Sequence, residues 1–155
     1  MTPTVAIHMV CSLLSYAAFL IACVTAVLYL AQERQLKHKT MGVLFHRLPS
    51  LDALERGNVV ALSLGFALLT IGTICGFLGS GVLLGRWWTG DPKEVLTVLL
   101  WLSYCTLWLL RMRATLRGHR IALLSIFGFT LVLFTAIATS SWHVSMHPFT
   151  RYSSK

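Results

Sequence analysis

The hydrophobic pattern divides the chain into four stretches free of Asp, Glu, Lys and Arg: residues 5–31, 58–85, 95–110 and 121–142. A helix rising 1.5 Å per residue needs about 20 apolar residues to cross the ~30 Å hydrocarbon core of a bilayer. The first, second and fourth stretches reach that length unaided. The third is shorter, and gains length from residues 92–94 and from Arg111, whose long side chain can reach the interface. The pattern predicts helices over about 5–31, 58–84, 93–111 and 120–142, a cytoplasmic segment 32–57 and a short outer loop 85–92. The expected fold class is all-α integral membrane: a single membrane domain, residues 1–155, with four transmembrane helices.

Local signals refine this outline. Pro49 followed by residues 50–55 (Ser-Leu-Asp-Ala-Leu-Glu) reads as a short capped amphipathic turn lying on the inner membrane surface. Gly72 and Gly76 form a small-x-x-x-small spacing, which lets another backbone, or a flat ligand, approach helix two closely. The third helix opens with Asp91-Pro92-Lys93-Glu94: an N-cap aspartate, proline at the first helical position and glutamate completing a capping box.

Composition agrees with a lipid solvent. The chain is 56% hydrophobic and 12% charged, with a mean hydropathy of +0.74, more apolar surface than a soluble domain of 155 residues could hide. The net charge of +8 adds orientation. Arg34, Lys37, Lys39, Arg47 and Arg56 lie between helices one and two, and Arg111, Arg113, Arg117 and Arg120 between helices three and four. Nine of the 13 cations thus share one side, which the positive-inside rule makes cytoplasmic. They favour anionic lipid, and their distribution excludes a nucleic-acid footprint. Both termini and the 85–92 loop then lie on the outer face. With no basic run before it and no small-residue cleavage site after it, helix one is expected to be retained rather than removed as a signal peptide.

Candidate chemistry gathers at that outer face. His8 stands in the first turns of helix one, and His143 and His147 follow helix four as it emerges. Trp87 and Trp88 occupy the outer loop. Each feature has an ordinary structural use, since tryptophans collect at membrane interfaces and the Asp-Pro-Lys-Glu run would start a helix in any protein. An imidazole in a membrane segment, however, is costly without a partner and points to function. Two neutral imidazoles facing across a gap can hold a heme iron axially while aromatic rings cover the porphyrin. Arg86, Lys93 or Arg151 could meet the propionates. The four-residue spacing of His143 and His147 would also suit Zn²⁺ or Cu²⁺ on a helix, although Pro148 follows and no third ligand is evident. His38, His46 and His119 sit in basic inner segments and read as solvated. The four cysteines, Cys11, Cys23, Cys75 and Cys105, fall inside the predicted helices with no Cys-x-x-Cys pair. Covalent heme attachment to this chain is therefore not expected, and the thiols read as small packing residues.

The run Gly85-Arg86-Trp87-Trp88-Thr89-Gly90-Asp91-Pro92-Lys93-Glu94 resembles the tryptophan-rich "WWD" signature of the CcsA/CcmC/HemX-like cytochrome c assembly superfamily. His8-Met9-Val10 leading to Ser15-Tyr16-Ala17-Ala18-Phe19 is similar to its CcsA and HemX-like branch. So are Tyr29-Leu30-Ala31-Gln32-Glu33-Arg34 and Leu48-Pro49-Ser50-Leu51. The resemblance covers nearly the whole chain and matches the C-terminal half of such proteins. It implies heme ligation by His8 and by His147, with His143 as the alternative, and a platform of Trp87 and Trp88. Asp91 would fix the loop and Arg86 would stand near the heme edge. It further implies non-covalent, b-type heme and a bacterial inner membrane location. The implied partners are other membrane subunits supplying the missing helices, and apocytochrome c. By itself the chain would act by positioning heme rather than as an enzyme. Family signatures usually carry two more tryptophans, where this chain has Leu84 and Gly90. A thinner platform also suits a HemX-like regulatory or scaffold subunit, or a heme-bearing or accessory subunit of a respiratory complex.

Overall fold

Helix signals at the chain's polar breaks set the element boundaries. A computed structural model describes residues 3–39, 49–85, 92–113 and 118–145, and only the backbone of 83, 84, 93 and 138–145. It contains α1 (Pro3–Lys37), α2 (Leu51–Leu84), α3 (Pro92–Met112) and α4 (His119–Ser145). Pro3 and Pro92 sit at first helical positions, where a missing N–H costs nothing. Ser50 caps α2, its hydroxyl accepting from the Ala53 N–H at 3.2 Å. Gly85 ends α2 in the left-handed region at φ 66°, which suits glycine.

The cap at Ser50 corrects one expectation. Residues 51–55 form no separate turn on the membrane surface; they are the opening of α2 itself. Nothing between Leu51 and Leu84 breaks the helix, and Leu54 is already buried.

All four helices are long and apolar enough to cross a membrane. Their outward faces carry Ile7, Val10, Leu13, Ile21, Val60, Leu64, Phe127 and Phe134, all exposed. Such a surface would aggregate in water and is at ease in lipid. The protein is accordingly a multi-pass membrane protein.

Packing between lipid-bathed helices cannot draw on the hydrophobic effect, so it depends on close approach and polar contacts. The α1–α2 hairpin shows both. Glycines along one face of α2 meet α1 in antiparallel order: Gly57 by Thr25, Gly65 by Phe19, Gly72 by Ser12, Gly76 by His8 and Gly79 by Val5. Phe19 also stacks on Tyr104 of α3 at 3.7 Å between ring centroids. Leu62, Leu69, Leu100, Leu107, Ile121 and Val132 complete the core around that pair. Trp101 of α3 donates its indole N–H to Thr70 of α2 at 2.9 Å.

Asn58 ties three helices together. Its Nδ2 donates to the Ala22 carbonyl of α1 at 2.7 Å, and its Oδ1 accepts from Ser125 of α4 at 3.2 Å. The site is buried. Asn58→Leu is expected to destabilise the bundle by about 1 kcal/mol, the scale of interhelical hydrogen bonds in membranes. Unfolding of the two proteins in detergent, compared side by side, measures this, and an unchanged midpoint would remove Asn58 as a tie.

The bundle end carrying the α1 C-terminus is closed by ion pairs. Glu55 of α2 meets Arg111 of α3 at 2.8 Å, and Glu33 of α1 meets Lys37 at 2.8 Å. Glu33 also lies 2.6 Å from His119 Nδ1, a contact that is ionic only with the imidazole protonated. His119, read from sequence as solvated, is half exposed yet partnered. The two carboxylates sit on the first hairpin, and Arg111 and His119 on the second.

Candidate functional site

The opposite end of the bundle holds His8. It is half buried in the first turns of α1, against the C-terminal half of α2. His8 Nδ1 lies 2.7 Å from the Gly72 carbonyl oxygen. A carbonyl can only accept, so Nδ1 must carry the hydrogen. In the neutral ring Nε2 then keeps the free lone pair, the form a metal ligand requires.

His8 lines a cavity of about 360 Å³, within the roughly 300–1,000 Å³ range of small-ligand sites. Val5 of α1 and Phe77 of α2 give it apolar wall, while Thr73 and Ser80 add hydroxyls. The third wall is the start of α3, through Glu94 and Thr97. The cavity therefore opens between the first hairpin and α3, at the bundle end where the 86–91 segment joins α2 to α3.

The other sequence candidates fall differently. Arg86, Trp87, Trp88, Asp91 and His147 lie outside the described residues. His143 falls in the last turn of α4, with its side chain outside them. The direction of α4 is fixed by its contacts: His119 by Glu33, Gly118 by Tyr29, and Gly128 beside Tyr104, which stacks on Phe19. α4 thus runs antiparallel to α1, toward the His8 end. At 1.5 Å per residue, the rises from Glu33 to His8 and from His119 to His143 are each roughly 35–40 Å. The backbone at His143 accordingly lies toward the His8 end of the bundle.

Sequence reading missed the other lining residues. Thr73, Phe77 and Thr97 carry no motif, and Glu94 was read only as part of the capping box and the signature run. It is the packing of α1, α2 and α3 that brings all four to the cavity beside His8. The Gly72/Gly76 spacing was the available signal. Among the described residues no group of three or more His, Cys, Asp or Glu is placed to hold a metal ion. The four cysteines are free.

The comparison that decides the family spans almost the full sequence: residues 1–147 match the family described as "Cytochrome C assembly protein". The chain belongs to the cytochrome c assembly protein family. Among this family's curated members, it is 30% identical to "Cytochrome c biogenesis protein CcsA" of Prochlorococcus marinus subsp. pastoris, over 92% of this chain and 51% of that protein. The protein of the same name in Guillardia theta is 29% identical, covering 81% of this chain and 46% of its own length. "Protein HemX" of Brevibacillus brevis is 31% identical, covering 88% and 51%. The chain therefore spans about half the length of the family members it matches. No solved structure matches it significantly.

Proposed function

We propose that this chain holds heme non-covalently at the His8 end of the bundle and presents it for assembly of c-type cytochromes. The observation that carries the reading is the His8 imidazole, seated on the Gly72 carbonyl through Nδ1 and lining a cavity with Phe77 in its wall. Membership of the cytochrome c assembly family supports the choice of heme over a bare metal ion. These residues suit a heme iron: a half-buried imidazole held through Nδ1 would offer Nε2 to the iron beside a partly apolar cavity.

In this reading His8 ligates through Nε2, and His147 supplies the second ligand. His143 is the alternative, since α4 runs toward the His8 end of the bundle. Trp87 and Trp88 cover the porphyrin, Asp91 caps α3, and Arg86 meets a propionate. The excess of cations at the Glu33 end makes that end cytoplasmic and the heme end external. When bound, heme supplies the iron and the vinyl groups that a partner's thiols would attack. The chain's own contribution is positioning. Since the CcsA relatives are about twice as long, helices from another polypeptide or segment complete the assembly.

A second reading is a HemX-like regulator or scaffold. It is favoured by Leu84 and Gly90 in places where the signature carries tryptophan, and by the similarity to HemX. Hemin titrated into the detergent-purified chain separates the two. A Soret band with a narrow α-band on reduction is expected. If neither forms with hemin in excess, the heme reading fails and the scaffold reading takes its place.

A further inference from the structure

We propose that Gly76 is a positioning residue for His8. Its missing side chain opens the Gly72 carbonyl to the imidazole, and this backbone seat selects the tautomer with Nε2 free to ligate. The inference rests on His8 being a heme ligand.

The stereochemistry follows from the helix. Each carbonyl points along the axis toward the residue four positions on, whose N–H it accepts. Residue 76 therefore stands beside the Gly72 oxygen. A Cβ at Gly76 would lie 2.9 Å from His8 Nδ1 and 3.1 Å from Cε1. The first is closer than real Cβ atoms come and the second is tighter than most, so the ring must shift. The displaced atoms belong to the same imidazole that donates to Gly72 at 2.7 Å. Even one methyl group at 76 thus pushes the ring away from its acceptor.

The neighbouring glycines differ. At Gly79 an added Cβ would meet Val5 at 3.6 Å, an ordinary contact. At Gly72 it would crowd Ser12 Oγ at 3.2 Å rather than the imidazole. Close helix packing alone would not single out position 76 against the histidine. The hydrogen bond does: it spends Nδ1 on the backbone and orients the ring, fixing which nitrogen is left to ligate.

The test uses the full chain in detergent, first without heme. At mildly alkaline pH, ¹⁵N chemical shifts of His8 are expected to report the Nδ1–H tautomer in the wild type and in Gly79→Ala. Gly76→Ala is expected to lose it. In a hemin titration Gly76→Ala should bind about 10- to 100-fold more weakly, as when an outer partner of a metal-bound histidine is removed. Added imidazole should restore its low-spin spectrum. Wild-type tautomer and wild-type hemin affinity in Gly76→Ala would overturn the proposal. Should that variant fail to fold, the wild type decides alone, since an Nε2–H ring there excludes the seat. If the tautomer responds as expected but even the wild type takes up no hemin, the seat stands and the heme reading fails.

Discussion

Replacing His8 by Ala is expected to abolish the low-spin heme spectrum of the purified protein and weaken hemin binding by more than about 100-fold. That exceeds the 10- to 100-fold typical of losing only an outer partner of a ligating histidine. The reason is the geometry around the ring. Nδ1 is committed to the Gly72 carbonyl, so Nε2 is the atom left for iron, and Ala supplies no substitute. No other histidine of α1 can replace it, because His38 lies beyond the far end of that helix. Two further variants identify the opposite ligand. If His147 fills that role, His147→Ala gives a five-coordinate, high-spin spectrum and His143→Ala leaves the bands unchanged. If His143 is the ligand instead, the two results exchange. A wild-type spectrum in His8→Ala would end the assignment, because the whole arrangement turns on that imidazole.

How much of this was legible beforehand depends on the range of each interaction. The four helices were readable because a membrane imposes a one-dimensional rule, some 20 residues without charge, and residues 5–31, 58–85 and 121–142 obey it directly. The cap at Ser50 and the proline that opens α3 at Pro92 are equally local. What they begin is less so: the same Ser50 signal opens either a surface turn or a long helix, and only the unbroken run to Leu84 chooses. The candidate site was half visible. Counting spans gathers His8 and the tryptophan loop at one end, and the glycine spacing of α2 announces a close neighbour. It does not say that the neighbour is an imidazole. That pairing spans 64 residues of sequence and depends on the register of two packed helices, as does the 86-residue separation of Glu33 and His119. Neither leaves a periodic trace in either segment alone.

The same register governs the second large effect, at Gly65. A Cβ there would stand 2.5 Å from Phe19 Cε1 and 2.7 Å from Cδ1. The ring has little room to retreat, since Phe19 is fully buried and stacks on Tyr104 at 3.7 Å. Gly65→Ala is therefore expected to destabilise the bundle by about 2 kcal/mol, in the range of overpacked cores. This overcomes the gain of roughly 1 kcal/mol that Ala brings to a helix interior over Gly. Phe19→Ala should cost about 2 kcal/mol, less than the roughly 3–5 kcal/mol of a water-soluble core. In lipid the phenyl ring gains nothing by leaving solvent, so only packing and ring stacking are lost. The two changes should not add. With the Phe19 ring removed, the methyl group introduced by Gly65→Ala occupies vacated space, and the double variant should recover about 1–2 kcal/mol relative to the sum. Unfolding in mixed micelles across the four proteins of this cycle measures the coupling. Simple additivity would mean that α1 and α2 adjust independently at this level. Coupling would mean that one rigid interface runs from Phe19 to His8, and then Gly65→Ala should also weaken hemin binding from a distance, by shifting the register that seats the imidazole.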